Sequence, residues 1–375
     1  MKKGAFEFRG PGGRTFRAGE DGPVFIIAEI GTGHGGSLDR GKELIDAAAR
    51  AGADCAKFQV VYADEIIHPL TGEVPLPGGS IPLFDRFRQL EQGPDFYAAL
   101  KIYTESRGLV FLASPFGLTS ARLLKDSGVS VIKIASPELN HFPLLDEVNT
   151  YGLPVILSTG VSLQKDIEKA LSRLSCPAAL LHCITAYPAP EEEYNLAVLE
   201  SLARTFGVPV GVSDHSLDPE LVPGVSMLFG CSFIEKHICL SREDRGLDDP
   251  VALPQEDFAG LVKLVRRLTP LPQEERRRFL EERFGAERVR ILSGDGIKRL
   301  APAEAANYER TRRSVHALCD LAAGTVITMK NTALLRTEKK LKVGLPPELH
   351  PSILGKRLLR PVASGEGITR EDVSG

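Results

Sequence analysis

Val210-Gly-Val-Ser-Asp-His215 and Phe233-Ile-Glu-Lys-His-Ile238 are the two segments whose reading decides the fold. Each is a short apolar run that ends in a polar cluster, the form of a buried strand reaching the rim of its sheet. Side chains alternate along a strand, so Ser213 and His215 share one face and Asp214 takes the other. By the same parity Glu235 and His237 lie together, opposite Lys236. A helical segment containing the small-residue run 224–230 separates the two, which is the layout of a βαβ unit. Its strands are parallel, so their carboxyl ends fall on the same side. His215 and His237 therefore meet at one rim. Either histidine alone reads as a satisfied polar residue at a strand end. Two neutral imidazoles of matched parity on a shared rim read as a ligand pair for a borderline divalent metal.

Outward from this unit the same pattern repeats. Residues 25–30 form an apolar strand carrying Glu29, followed by a turn rich in glycine (Gly31, Gly33, Gly35, Gly36). A helix then starts at Ser37, a suitable N-cap, and runs to Ala51, where Gly52 closes it. Further strands are expected at 55–59, 110–114, 131–135, 154–159 and 179–183. Helices are expected around 96–106, 120–126, 144–150, 164–174 and 255–268. The stretch 69–82, broken by Pro69, Pro75, Pro77, Gly78 and Gly79, reads as a long loop. Eight strands rich in Val, Ile and Ala without alternation, with helices between them, fit a parallel sheet buried on both faces. Eight such units in about 250 residues make an α/β chain with a (β/α)8 TIM barrel, whose active site lies at the carboxyl ends of its strands. Those ends carry Glu29; Lys57 and Gln59; Ser114; Lys133, Ser136 and Glu138; Ser158 and Thr159; Thr185 and Tyr187; Ser213 and His215; Glu235 and His237. The expected division is a barrel over 1–285, a linker over 286–306 marked by Gly294, Gly296 and Pro302, and a small β-rich domain over 307–375.

Composition sets the outer limits. The chain has 375 residues, 43% hydrophobic and 25% charged, with a net charge of −3. That balance offers no electrostatic case for nucleic acid or an anionic membrane as partner. The six cysteines lack Cys-x-x-Cys spacing and sit mostly in apolar runs, as small buried hydrophobes of a reducing compartment do. Residues 1–9 have no apolar signal-peptide core and no run reaches membrane-spanning length, so the expected location is the cytoplasm.

Two lysines lie inside expected strands, Lys57 in Cys-Ala-Lys-Phe-Gln and Lys133 in Val-Ile-Lys-Ile-Ala. A buried lysine needs an anionic partner. A salt bridge to a neighbouring carboxylate such as Glu29 is the structural reading for either lysine. With Ser114, Ser136, Ser158 and Ser213 the lysines also make a cradle for a phosphate and a carboxylate. Glu29, Glu138 and Glu235 add groups able to move protons. These residues describe a metal-assisted barrel enzyme acting on a small, doubly anionic substrate.

The same motifs resemble those of the sialic acid synthase family, the phosphoenolpyruvate-condensing synthases of nine-carbon sugar acids. The resemblance spans nearly the whole chain: residues 27–31 (Ile-Ala-Glu-Ile-Gly), 52–54 and 57–59, 133–136, 158–160, His182-Cys183 with Tyr187-Pro188, Ser213-Asp214-His215 and Glu235-Lys236-His237. The C-terminal module resembles that family's antifreeze-like (SAF) domain, entered at Arg312-Arg313-Ser314. The resemblance implies that His215 and His237 hold manganese or magnesium, which polarises the aldehyde of an open-chain N-acylated aldose. It implies that Lys57, Lys133, Ser114, Ser136, Ser158 and Ser213 bind phosphoenolpyruvate, and that Gln59, Glu138, Tyr187 and Asp248 hold the sugar. Glu29 would act on the oxocarbenium intermediate or its attacking water, and Glu235 would orient the metal shell. It further implies a domain-swapped homodimer in which Arg313 reaches the barrel of the other subunit.

The departures gather on the sugar side. Gly33-His34-Gly35-Gly36 stands for the family's Asn-His-Asn-Gly, and Thr185 stands for an asparagine facing the phosphoenolpyruvate carboxylate. Gly246-Leu247-Asp248-Asp249 replaces Gly-Pro-Asp-His, and Ala252 a serine. The expectation is retained condensation chemistry with altered sugar specificity: N-acetylneuraminate, or a relative such as legionaminate or pseudaminate. The alternatives are a barrel synthase that joins phosphoenolpyruvate to a different aldose and a weakly catalytic sugar-binding homologue.

Overall fold

The computed structural model describes residues 6–19, 22–76, 79–244 and 246–374. An N-terminal hairpin comes first, β1 (Phe6–Arg9) with β2 (Thr15–Ala18). Strand β3 (Phe25–Gly31), helix α1 (Leu38–Ala51) and strand β4 (Cys55–Val60) open the barrel. The Ser37 hydroxyl accepts from the Arg40 amide at 3.2 Å, and Gly52 closes α1 at φ +85°, a conformation that suits glycine. An excursion follows: β5 (Glu73–Leu76), β6 (Gly79–Pro82) and helix α2 (Leu83–Leu90). The barrel then resumes with β7 (Val110–Pro115), β8 (Ile132–Ile134), β9 (Val155–Ser158), β10 (Ala178–Cys183), β11 (Val210–Asp214) and β12 (Cys231–His237).

The eight barrel strands are ordered β7-β4-β3-β12-β11-β10-β9-β8, and every adjacent pair is parallel. β3 pairs with β12, and β7 packs beside β8 without a ladder among the described residues, so the barrel is nearly closed. One parity of each strand faces the helices and forms the largest apolar cluster. The other faces the lumen, which is filled in its lower layers by Phe25, Ile27, Cys55, Val110, Leu112, Val131, Ile156, Ala179, Leu181 and Phe233. A Cβ at Gly211 would collide with the carbonyl oxygen and Cβ of Phe233, so glycine lets the β11 and β12 backbones approach at this point of the lumen. Phe6 and Phe8 of the N-terminal hairpin plug the amino end of the barrel, edge-on to Phe233 (5.4 Å) and Phe25 (5.3 Å). Continuing the same inward parity toward the carboxyl ends replaces apolar side chains with polar ones. The rows run Phe25-Ile27-Glu29, Cys55-Lys57-Gln59, Val110-Leu112-Ser114, Ile156-Ser158 and Phe233-Glu235-His237.

Three elements differ from the expectation. The stretch 69–82 is not a structureless loop: it contains the β5–β6 hairpin, and Pro77 and Gly78 lie outside the described residues. Pro75 is tolerated in β5 because that strand pairs on one side only. The N-terminal hairpin had a legible signal, phenylalanines at 6, 8 and 16 around Gly-Pro-Gly-Gly, which was not read as strands. The expected linker 286–306 begins with a helix, Ala286–Ser293, that buries Val289 and Leu292 in the barrel's apolar cluster. Only the stretch from Gly294 onward runs as an extended strap.

The C-terminal module pairs β13 (Arg313–Ala317) antiparallel with β14 (Thr332–Arg336) over its own small core. It docks on the carboxyl-end rim of its own chain's barrel. Asn140 bonds the Arg313 backbone from both ends of its amide (2.9 and 3.1 Å), and Asp166 accepts from Tyr308 and Arg312. All six cysteines are free and five are buried. No helix among the described residues is long and apolar enough to cross a membrane.

Candidate active site

The inward polar residues enclose a cavity of about 220 Å³ at the carboxyl ends of the strands. Strand register sets it. Glu29 lies level with Lys57 on one side and His237 on the other, Gln59 with Ser114, and Ser213 with Glu235 and Cys183. Lys57 Nζ donates to Glu29 Oε2 at 2.6 Å and lies 3.4 Å from Glu235 Oε2. Lys133 Nζ donates to the Ser158 hydroxyl at 2.5 Å and lies 3.8 Å from Glu235 Oε1, which also accepts from Ser213 at 2.8 Å. Glu235 is thus the shared counter-charge of two buried lysines. Burial pushes its carboxyl up, but Lys133 and then Lys57 more than offset this and hold it at about 2. Burial pulls Lys133 down to about 8, whereas at Lys57 the attraction of Glu235 and Glu29 outweighs burial and moves the ammonium upward. Ser114 Oγ is buried without a hydrogen-bond partner.

The alternating face supports this one from behind. Lys236 Nζ donates to Asp214 at 2.5 Å and to the Ser216 carbonyl at 2.6 Å, fully buried. Asp214 accepts from the Tyr194 hydroxyl (2.7 Å), and that hydroxyl accepts from the His215 amide (2.8 Å). The parity read from the two opening segments therefore separates an outer structural pair, Asp214–Lys236, from an inner set, Ser213, His215, Glu235 and His237.

The rings of His215 and His237 are 5.6 Å apart, with Tyr187 lying 4.3 Å from His215. His215 Nδ1 meets the Ile184 carbonyl at 2.8 Å, so it carries a proton, and in the neutral ring Nε2 holds the lone pair. A carbonyl on one ring nitrogen fixes the tautomer and aims the other nitrogen into the cavity, as a metal ligand requires. Burial opposes charge on His215, yet Cys183 (3.7 Å away) and the Ile184 carbonyl draw its pKa up to about 9, so a metal held there would have to displace the Nε2 proton. Burial lowers His237. The pair fits two ligands of a site completed by water or substrate. Among the described residues no cluster of three His, Cys, Asp or Glu side chains is gathered at ligating range.

Of the residues singled out from the sequence, Glu29, Lys57, Gln59, Ser114, Lys133, Ser136, Ser158, Thr185, Tyr187, Ser213, His215, Glu235, His237 and Asp248 all line the cavity. Glu138 and Arg313 do not. Glu138, in the turn Ser136–Glu138, is fully buried against Arg313 (2.5 Å) and Arg336 (2.6 Å). Arg313 also donates to the Phe116, Ile66, Leu334 and Glu65 carbonyls, so every edge of its guanidinium is occupied. Within this single chain Glu138 and Arg313 form an internal clamp, because β13 lies on the barrel's own rim. Arg336 was not singled out. It sits opposite Arg313 in the β13–β14 register and lines the cavity. Only the pairing of two distant segments brings it there, so no local pattern marks it. Thr32 and Leu247 also line the cavity; Gly33 and Gly35 lie in a neighbouring cleft, with Arg40 bridging the Gly33 carbonyl and Asp244.

A barrel with two lysines and two histidines converging in its mouth, closed by a small β module, is the class of protein that this fold and site define. The NeuB family model matches residues 44–275 and the SAF domain model residues 312–374. The chain belongs to the NeuB family. It is 31% identical to the spore coat polysaccharide biosynthesis protein SpsE of Bacillus subtilis over 95% of each chain. The crystal structure of that protein covers 99% of both chains with a TM-score of 0.81. It is also 30% identical to the N,N'-diacetyllegionaminic acid synthase of Legionella pneumophila, over 93% of this chain and 94% of that one. The human N-acetylneuraminate-9-phosphate synthase is likewise 30% identical, over 93% and 92%.

Proposed function

We propose that the protein condenses phosphoenolpyruvate with an N-acylated aldose to give a nonulosonic acid, first among them N-acetylneuraminate from N-acetylmannosamine. The observation that carries this is the cavity in which Lys57 and Lys133 flank Glu235 beneath His215 and His237. The lysines bind the phosphate and carboxylate, with Ser114, Ser136, Ser158 and Ser213 donating around them. Gln59, Tyr187, Thr185 and Asp248 line the side open to the sugar. Glu29 and Glu235 balance the two lysines, so a trianionic substrate calls for further positive charge. Manganese or magnesium on His215 and His237 would supply it and polarise the aldehyde.

C3 of phosphoenolpyruvate forms the new bond to the aldehyde carbon, whose oxygen takes up a proton. The C2 cation is met by water, and phosphate leaves with cleavage of its bond to C2. Glu29, held by Lys57 and by Gln59 (2.9 Å), is placed to stabilise that cation and accept the proton of the attacking water. Self-association, with the SAF module exchanged between chains, and a cytoplasmic location belong to the same proposal.

The test is phosphate release with manganese and a panel of aldoses: N-acetylmannosamine, its 6-phosphate, and diacetamido-trideoxyhexoses. Release with one of them is the expected result. Aldose binding without release, seen as a ligand-dependent rise in Tm, would identify a carbohydrate-binding homologue instead.

A further inference from the structure

The departures on the sugar side fall in two segments, 33–36 and 246–249, and the structure brings their loops together. Gly31 turns at φ +58°, and a Cβ there would lie 3.3 Å from Gln59 Nε2 and 3.6 Å from Asp248 Oδ2. A Cβ at Gly33 would lie 3.9 Å from Asp249 Oδ1. The loop after β3 therefore touches the loop after β12 where Gln59, Leu247 and Asp248 line the reaction cavity. Asp248 Oδ2 is also 3.9 Å from His237 Nδ1, so its place sets the span from the sugar side to the histidine pair.

Arg40 ties these loops together. It stands in the first turn of α1, its amide held by Ser37. Its Nε donates to the Gly33 carbonyl at 2.7 Å and its Nη2 to Asp244 Oδ2 at 2.6 Å, across 204 positions of sequence. One planar guanidinium serves both acceptors, so it fixes the distance between them. The loop after β12 is closed at its base by the Ile238–Leu253 bridge. Inside it Arg242 donates to the Ala252 carbonyl at 3.0 Å and the Gly246 amide to Asp249 at 2.6 Å. Those bonds shape the loop, whereas Arg40 sets where it stands relative to β3. Arg40 and Asp244 line the neighbouring cleft and not the reaction cavity, so Arg40 acts through the loops.

We propose that Arg40 is a positioning residue of the aldose subsite, holding Asp248 and Leu247 at a set distance from Gly31 and Gln59. This rests on the reaction proposed above and adds to it a residue that no motif in the sequence marks. With side chains 30% and 28% exposed, the Arg40–Asp244 pair contributes little to overall stability. A residue kept for stability alone would change neither KM, whereas a loosened wall costs binding of the substrate that touches it.

Steady-state phosphate release from phosphoenolpyruvate with manganese tests it, with N-acetylmannosamine, its 6-phosphate or a diacetamido-trideoxyhexose as the aldose. Arg40→Met should raise KM for the aldose ~10-fold or more, leave KM for phosphoenolpyruvate within ~2-fold, and lower Tm by no more than ~2 °C. Asp244→Ala should do the same, and the double variant should be no worse than either, because each removes the same tie. Arg40→Lys, which keeps the charge but not the fork, should fall between parent and Arg40→Met. Hydrogen exchange across 246–252 should quicken ~10-fold in Arg40→Met, with β11 and β12 unchanged. An aldose KM within ~2-fold of the parent, or an equal rise in both KM values, overturns the proposal. A parent that turns over none of these aldoses refutes the reaction instead. Exchange then decides for Arg40: quickened rates uphold the tie and unchanged rates overturn it.

Discussion

Arg313→Met should release the clamp that holds the SAF module on the barrel. In the parent, Arg313 meets Glu138 at 2.5 Å and the Phe116 carbonyl at 2.6 Å, and Arg336 holds the other carboxylate oxygen at 2.6 Å, all of it buried. Burial pushes the Glu138 carboxyl up, yet Arg313 and then Arg336 carry it from 4.5 down to about 2. A displacement of that size corresponds to ~3 kcal/mol, the low end of the roughly 3–5 kcal/mol for breaking a buried pair. With 375 residues at about 2.1 cal/mol/K each, that amounts to a fall in Tm of ~4 °C in one cooperative transition. The pH dependence has a defined sign. A depressed carboxyl stabilises the fold above its ordinary value and ceases to do so as the pH falls through the folded one. Scanning calorimetry should therefore show the full gap between parent and variant at pH 7, shrinking between pH 4.5 and 2. Arg313→Lys should recover less than half of the loss, because an ammonium cannot serve a carboxylate and several carbonyls in one plane. A Tm within 1 °C of the parent at pH 7, or a gap indifferent to pH, would refute the reasoning.

Three further outcomes follow from the site. His215→Ala should cut metal-dependent turnover by ~100-fold or more, beyond the 10–100-fold typical of outer-shell changes, with an unaltered circular dichroism spectrum; unchanged turnover removes the metal assignment. Lys133, held at about 8 chiefly by burial, must be protonated to hold an anion. KM for phosphoenolpyruvate should therefore be flat below pH 8 and climb ~10-fold for each pH unit above it, and a flat profile to pH 9.5 would contradict this. Asp214→Leu leaves Lys236 buried and unpaired at a cost of roughly 3–5 kcal/mol, and the double variant with Lys236→Met should regain most of it. Urea denaturation of both variants decides, and equal losses would show that the pair is not coupled.

The barrel was legible because its signal is local. A parallel strand buried on both faces needs an apolar run, and the crossover helix needs an amphipathic one. Those constraints recur at each of the eight units. The cavity was legible for a related reason. Side-chain parity is exact along a strand, so a lysine or histidine at the right offset from the apolar layers has to emerge at the mouth. Lys57 sits two residues beyond Cys55 on that face, and His237 two beyond Glu235. The hairpins were less legible, because Phe6, Phe8 and Phe16 alternate over only four-residue strands and their burial depends on a barrel end that no local pattern describes.

The sequence by itself determined the eight-fold unit, the inward and outward sets at each strand end, and the convergence of His215 with His237. Only the tertiary structure decided what the C-terminal module does to that mouth. Glu138 looks like a free carboxylate until β13 and β14 bring Arg313 and Arg336 onto it in one antiparallel pair. Lys298 looks like a surface charge until the strap folds its Nζ against His182 and away from water. Both depend on contacts between segments more than a hundred residues apart, and a charge's partner and its access to water are properties of such contacts, not of the residues that flank it in the chain.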